Sequence, residues 1–170
     1  TTDEKLAERV GFIHERLGTD AIAEQYIDGR ELYTGVLGND RLTVLPVWEL
    51  DFGEVASSSP QIATEKVKHD VAYQKKMKIT HGPAAPLPEG LAESIARTSR
   101  RVCRILSLDG YARIDYRLDA EGRLYFLEAN PNPEVAWEEE FASAAEAAGI
   151  AYPALIQKIV NLGLARRYRH

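Results

Sequence analysis

The 170 residues are 45% hydrophobic and 28% charged, the composition of a folded globular chain with enough core to hold together without disulfides or a structural metal. The chain has 21 Lys and Arg against 26 Asp and Glu, a net charge of −5, and no basic stripe offsets it, so no nucleic-acid partner is expected. One cysteine rules out an internal disulfide and a cysteine-based zinc site, and no apolar run approaches the roughly 18 residues of a membrane span, so the expectation is a cytoplasmic protein with no membrane partner.

Leu6, Val10, Ile13 and Leu17 predict a surface helix over Thr2–Leu17 with one buried stripe and Thr2 as its cap. The lack of an initiator Met ahead of this helix predicts a piece of a longer protein. After Gly18, Ala21–Ile27 reads as extended, Asp28-Gly29 turns, and Glu31–Leu37 is extended again. Gly38-Asn39-Asp40 leads into a strand over Arg41–Leu50, which Pro46 pushes toward an edge or a bulge. Phe52–Pro60 reads as a loop, Thr64–Met77 as polar and weakly helical, and His81–Pro88 as a proline-punctuated linker. Leu91, Ile95, Thr98, Val102 and Ile105 share one face of the next helix. Tyr111–Leu118 and Arg123–Ala129 form a hairpin, and helices over Glu134–Ala148 and Pro153–Ala165 close the chain. The expected fold class is α+β, an antiparallel sheet with flanking helices.

The hairpin carries charge where a core would be expected. Alternation sends Ala112, Ile114, Tyr116 and Leu118 to one face and Tyr111, Arg113, Asp115 and Arg117 to the other, while Leu124, Phe126, Glu128 and Asn130 share a face of the return strand. If Asp119–Gly122 is the loop, Leu118 pairs with Arg123, Arg113 lies opposite Glu128, and Asp115 lies opposite Phe126. Asp115 and Glu128 are then diagonal neighbours at about 7–8 Å, a gap their side chains can close around a hard cation. Two carboxylates and the amide oxygen of Asn130 suit Mg²⁺ or Mn²⁺, and Arg113 alongside suits phosphate. From the residues alone, a solvent-facing salt bridge stays open beside this cation site.

At these residues the chain resembles a known family. The run GYARIDYRLDAEGRLYFLEANP, residues 110–131, looks like the metal-binding hairpin of ATP-grasp ligases, in the D-alanine–D-alanine ligase branch. That resemblance implies the C-terminal half of an ATP-grasp fold, with Asp115, Glu128 and Asn130 binding the Mg²⁺ (or Mn²⁺) that bridges the ATP phosphates and Arg113 contacting phosphate or the acyl-phosphate intermediate. Upstream, AEQYIDGREL at residues 23–32 is similar to the family's nucleotide edge strand. It implies Glu24 at the adenine amino group, the backbone of Tyr26 and Ile27 at the adenine's hydrogen-bonding edge, and Glu31 at the ribose hydroxyls. The implied activity is ATP-dependent joining of a small-molecule carboxylate to an amine. Residues 1–170 would be the C-terminal part of the catalytic domain, without the N-terminal and lid regions, and the edge this leaves exposed gives a reason to expect a homo-oligomer.

The chain departs from the family pattern in two places. The Lys that precedes the family's loop Tyr is Ala72 here, before Tyr73, which leaves Lys66, Lys68, Lys75 and Lys76 as candidates for a phosphate contact. After Asn130 the family's Pro-Gly turn and substrate-holding Ser are replaced by Pro131–Trp137, so D-alanine is not specified as the substrate. Asn132 is a candidate for an added ligand or oxyanion contact. His14, His69, His81 and His170 form no cluster with ligand spacing and are assigned no chemistry. Two other readings follow from the residues: a non-catalytic nucleotide-binding or scaffolding module, favoured by the missing Lys, and a two-carboxylate hydrolase of glycosidase type, which leaves Arg113, Asn130 and Glu24–Glu31 without a role.

Overall fold

The computed structural model describes residues 2–55, 61–64, 66–67 and 70–167. Its centre is one antiparallel sheet built from β1 (Arg30–Gly38), β2 (Thr43–Val44), β3 (Trp48–Asp51), β4 (Thr80–Pro83), β5 (Gly110–Leu118) and β6 (Leu124–Asn130). The strands run in the order β4-β3-β1-β5-β6, and β2 pairs with the far end of β1 beside β3. Pro46 falls in the gap between β2 and β3, where a missing N–H breaks no ladder. The helices are α1 (Asp3–Phe12), α2 (Val71–Met77), α3 (Leu91–Ile105), α4 (Glu140–Ala147) and α5 (Tyr152–Arg167). This is the α+β arrangement of a sheet flanked by helices that the sequence predicts. No single helix among the described residues is long and apolar enough to cross a membrane.

The sheet has an apolar layer on each side. Leu32, Val36, Ala112, Ile114, Tyr116 and Leu118 face α3, which contributes Leu91, Ile95 and Cys103. The helix buries Leu91, Ile95, Ser99 and Cys103, a four-residue spacing, instead of the predicted stripe that ended on Ile105. Ile105 is 68% exposed, because a straight helix rotates the last member of that predicted set off the sheet. On the other side, Tyr33, Leu37, Trp48 and Leu50 meet Phe141, Ala144, Ala145 and Leu155 from α4 and α5. Gly35 makes this contact close: a Cβ there would stand 2.7 Å from Leu45 Cδ1 and 2.9 Å from Phe141 Cε2, so only glycine lets α4 settle on the sheet.

Several boundaries differ from expectation for identifiable reasons. Ala21–Ile27 forms no strand, since β5 ends at Leu118 opposite Arg30 and offers no backbone for an earlier residue to pair with. The first three residues of the expected linker are strand β4, paired with β3. The helix expected from Glu134 starts at Glu140, because Glu138 has a left-handed backbone (φ 67°) that a helix interior cannot hold. α1 continues as a π-helical turn over Ile13–Leu17, and none of its residues is buried; Leu6 and Leu17 are exposed where a buried stripe was expected.

The hairpin register also differs. Leu118 pairs with Leu124, not Arg123, and a β-bulge at Asp115/Tyr116 shifts the pairing once more, so Asp115 faces Glu128 and Arg113 faces Asn130. The first shift alone would turn Glu128 and Asn130 to the apolar face; the bulge returns them to the charged one. Leu124 and Phe126 stay behind on the α3 face, where Phe126 meets Tyr116 edge to face at 6.3 Å.

Candidate active site

The α4 side of the sheet carries a row of buried charges along β1 and β5. Arg113 donates from Nε and Nη2 to the two oxygens of Asp115, each at 2.8 Å, and from Nη1 to Glu140 Oε2 at 2.9 Å. Its guanidinium lies 4.7 Å from the centre of the Tyr33 ring. Burial disfavours the charge on Arg113, but the Asp115 hydrogen bonds and the Asp115 and Glu140 charges outweigh it and hold its pKa above the ordinary value. Asp115 is 2% exposed, while Glu128 directly across the ladder is open to solvent. Asn130 sits opposite Arg113 and accepts a hydrogen bond from the backbone of Asn132 at 2.9 Å. The Asn132 side chain is taken by the Tyr111 hydroxyl at 2.5 Å, so it joins this corner through Tyr111.

A second buried group lies one step along the same face. Glu31, 5% exposed, accepts from the Tyr33 hydroxyl at 2.7 Å and from Arg117 Nη2 at 3.0 Å, one bond to each carboxylate oxygen. Arg117 also donates to the carbonyls of Gly29, at 2.8 Å, and Gln61, and lies near the rings of Tyr26 and Phe52. Gly29 has φ 145°, and a Cβ there would collide with the Leu118 carbonyl; the Asp28-Gly29 turn thus brings its own carbonyl to Arg117. Tyr33 joins the two groups, with its hydroxyl on Glu31 and its ring under Arg113. Burial, then Glu31 and the other carboxylates around it, push the Tyr33 phenol well above its ordinary pKa.

The structure therefore brings Arg113, Asp115, Glu128 and Asn130 together, and sets Tyr26 and Glu31 around Arg117. Glu24 is exposed in an irregular segment and Ile27 is half-buried beside the turn. Lys66 stacks on Tyr73 at 4.4 Å, Lys75 and Lys76 end α2, and Lys68 lies outside the described residues. A cleft of about 740 Å³ opens at the end of the sheet between Asp28, Arg30, Asp51, Phe52 and Asp119, and none of the predicted site residues lines it. Two groups escaped the sequence reading. Glu140 holds Arg113, and His81, to which no chemistry was assigned, lies with Nδ1 2.6 Å from Glu140 Oε1. The available signal was an acidic run, Glu138–Glu140.

The family described as the C-terminus of D-Ala–D-Ala ligases matches residues 4–161. The chain belongs to that family. It is 30% identical to the D-alanine–D-alanine ligase of Desulfotalea psychrophila over 165 residues, which cover 97% of this chain and 48% of that ligase. It is 32% identical to an uncharacterized protein, y4sG, of Sinorhizobium fredii over 164 residues, 96% of this chain and 46% of that protein. The chain thus spans about half the length of these relatives. Its fold is that of solved D-alanine–D-alanine ligases: that of Bacillus anthracis complexed with ATP superimposes with a TM-score of 0.73 at 21% identity, covering 98% of this chain and 48% of the other. That of Coxiella burnetii gives 0.75 at 18% identity, covering 98% and 40%. Within this ligase family, the sheet and its helices are the C-terminal part of the ATP-grasp architecture.

Proposed function

We propose that the chain carries the metal and phosphate side of an ATP-dependent carboxylate–amine ligase, in which ATP phosphorylates a small carboxylate and an amine then displaces phosphate to form a C–N bond. The observation that carries this reading is the pairing of Asp115 with Glu128 across a bulged hairpin, with Arg113 and Asn130 as the next pair on the same face. Two carboxylates and an amide oxygen on one sheet face fit a hard divalent cation, Mg²⁺ or Mn²⁺. That ion, when bound, neutralises charge on the phosphates.

Arg113 keeps its charge under all ordinary conditions and offers a planar fork for phosphate or acyl phosphate. Its two carboxylate partners and the Tyr33 ring fix that fork in place before any ligand arrives, which is where catalysis by positioning gains most. Glu31, Tyr26 and the backbone at Tyr26–Ile27 supply the nucleoside side, with Glu24 at the adenine. In the present arrangement Glu31 already gives one oxygen to Tyr33 and one to Arg117, so its ribose contact uses the remaining lone pairs. The partners are small-molecule carboxylates and amines met in the cytoplasm. The non-catalytic nucleotide-binding module is the second reading, favoured by the same engagement of Glu31 and by Ala72 at the family's Lys position.

The test is calorimetry of ATP with and without Mg²⁺, on the parent and on the Asp115→Asn/Glu128→Gln double variant. The ligase reading predicts Mg²⁺-dependent binding that falls at least roughly a hundredfold in the double variant. Binding indifferent to both metal and substitution would leave the nucleotide module standing instead.

A further inference from the structure

We infer that Glu140, steadied by His81, is a positioning residue that holds the Arg113 guanidinium independently of Asp115; this rests on the ligase reading, in which Arg113 meets phosphate. Asp115 has two tasks there, one toward Arg113 and one toward the cation. An arginine anchored only by a residue with a competing task would lose its orientation whenever that residue turned to the other. Glu140 removes the conflict because it comes from a different element. It is the first residue of α4, where the helix dipole favours a carboxylate, and it takes Nη1, the guanidinium nitrogen that Asp115 does not use.

The strut is itself fixed at two points. Phe141, the next residue, sits in the space left by Gly35, the direct ladder partner of Arg113, so α4 descends to the sheet beside the guanidinium. The second Glu140 oxygen, Oε1, is 2.6 Å from His81 Nδ1 on β4. β4 is separated from β5 by β3 and β1, so the His81–Glu140–Arg113 line bridges the sheet across two strands. Arg113 and Glu140 are both largely buried, with side-chain exposures of 15% and 16%, and this shields the pair from the screening that weakens surface ion pairs. A carboxylate with each oxygen committed has one orientation, and it passes that orientation to Arg113.

Glu140→Ala, Glu140→Gln and His81→Ala are compared with the parent for binding of Mg²⁺–ATP by calorimetry and of adenosine by chemical-shift perturbation. Glu140→Ala should weaken ATP about tenfold and leave adenosine unchanged, Glu140→Gln should recover part of the loss, and His81→Ala should show a smaller loss of the same kind. A residue with a merely structural role would lower both affinities together or neither. ATP affinity unchanged in Glu140→Ala, or an equal fall for ATP and adenosine, overturns the inference and leaves the ligase reading intact. If Glu140→Ala does not fold, the half-exposed His81→Ala decides by the same ratio. A parent that binds no ATP with Mg²⁺ overturns both, the ligase reading first.

Discussion

On the α3 side of the sheet, Leu32, Ile114 and Tyr116 close against Ile95 and Cys103, and the polar pair between Ser99 and Tyr116 is satisfied at 2.8 Å. On the α4 side the same two strands present the buried Glu31, Asp115 and Arg117 and the largely buried Arg113, charges answered by one another and by Glu140. The first face is held by displaced water and fails by volume, in proportion to what is removed. The second is held by matched charges whose desolvation cost nearly cancels their attraction, and it fails when one partner is left alone. Neighbouring residues of one strand, such as Tyr116 and Arg117, therefore answer to different physics, and substitutions should separate them.

The sharpest break is Arg117→Met. It strands the Glu31 carboxylate and leaves the Gly29 and Gln61 carbonyls without their donor. We expect a loss of about 3–5 kcal/mol in urea unfolding, of which adding Glu31→Leu restores the part due to the unpaired carboxylate, while the two carbonyls and the Tyr33 hydroxyl stay without their partners. A loss below about 1 kcal/mol, or a double variant worse than the single, would mean that matched charge is not what holds this face. Ile95→Ala probes the opposite face. It empties space under Leu32 and Ile114 and should cost about 3 kcal/mol, with no second substitution by charge able to recover it. Full recovery by any change on the α4 side would show the two faces to be coupled.

The apolar face was legible because it obeys periodicity. Ala112, Ile114, Tyr116 and Leu118 alternate without interruption, and their direction follows from pleating alone. The charged face was legible in membership but not in pairing: Arg113, Asp115, Glu128 and Asn130 do share it, yet the register rests on a longer turn and a bulge that cancel each other's effect on facing, and composition marks neither. Glu24 shows the opposite failure, for its local pattern reads as strand but no neighbouring backbone is there to complete one. Glu140 and His81 were out of reach for a further reason: they meet Arg113 only because Gly35 lets Phe141 in, a contact between residues 106 positions apart in sequence.

The smallest expected effect separates the faces by pH. The Tyr116 phenol is pushed up to about 12 from an ordinary 10.0, mainly by burial, with the Ser99 hydrogen bond pulling it partly back. The folded chain thus keeps its proton where the unfolded chain would give it up. The resulting stabilisation is complete below about pH 10 and is lost as pH rises toward 12, roughly 3 kcal/mol once both values are passed. Tyr116→Phe should cost only about 1 kcal/mol at neutral pH, because Ser99 keeps its bond to the Ile95 carbonyl at 2.8 Å, but it should flatten the alkaline decline seen in urea midpoints. The flattening will be partial: Tyr33, whose pKa burial and the carboxylates beside it raise further, stays in the variant and keeps losing stability in the same direction. Equal alkaline slopes for parent and variant would take the decline away from Tyr116 and leave it to the other groups that burial raises, Tyr33 on the charged face and the Cys103 thiol on the apolar one.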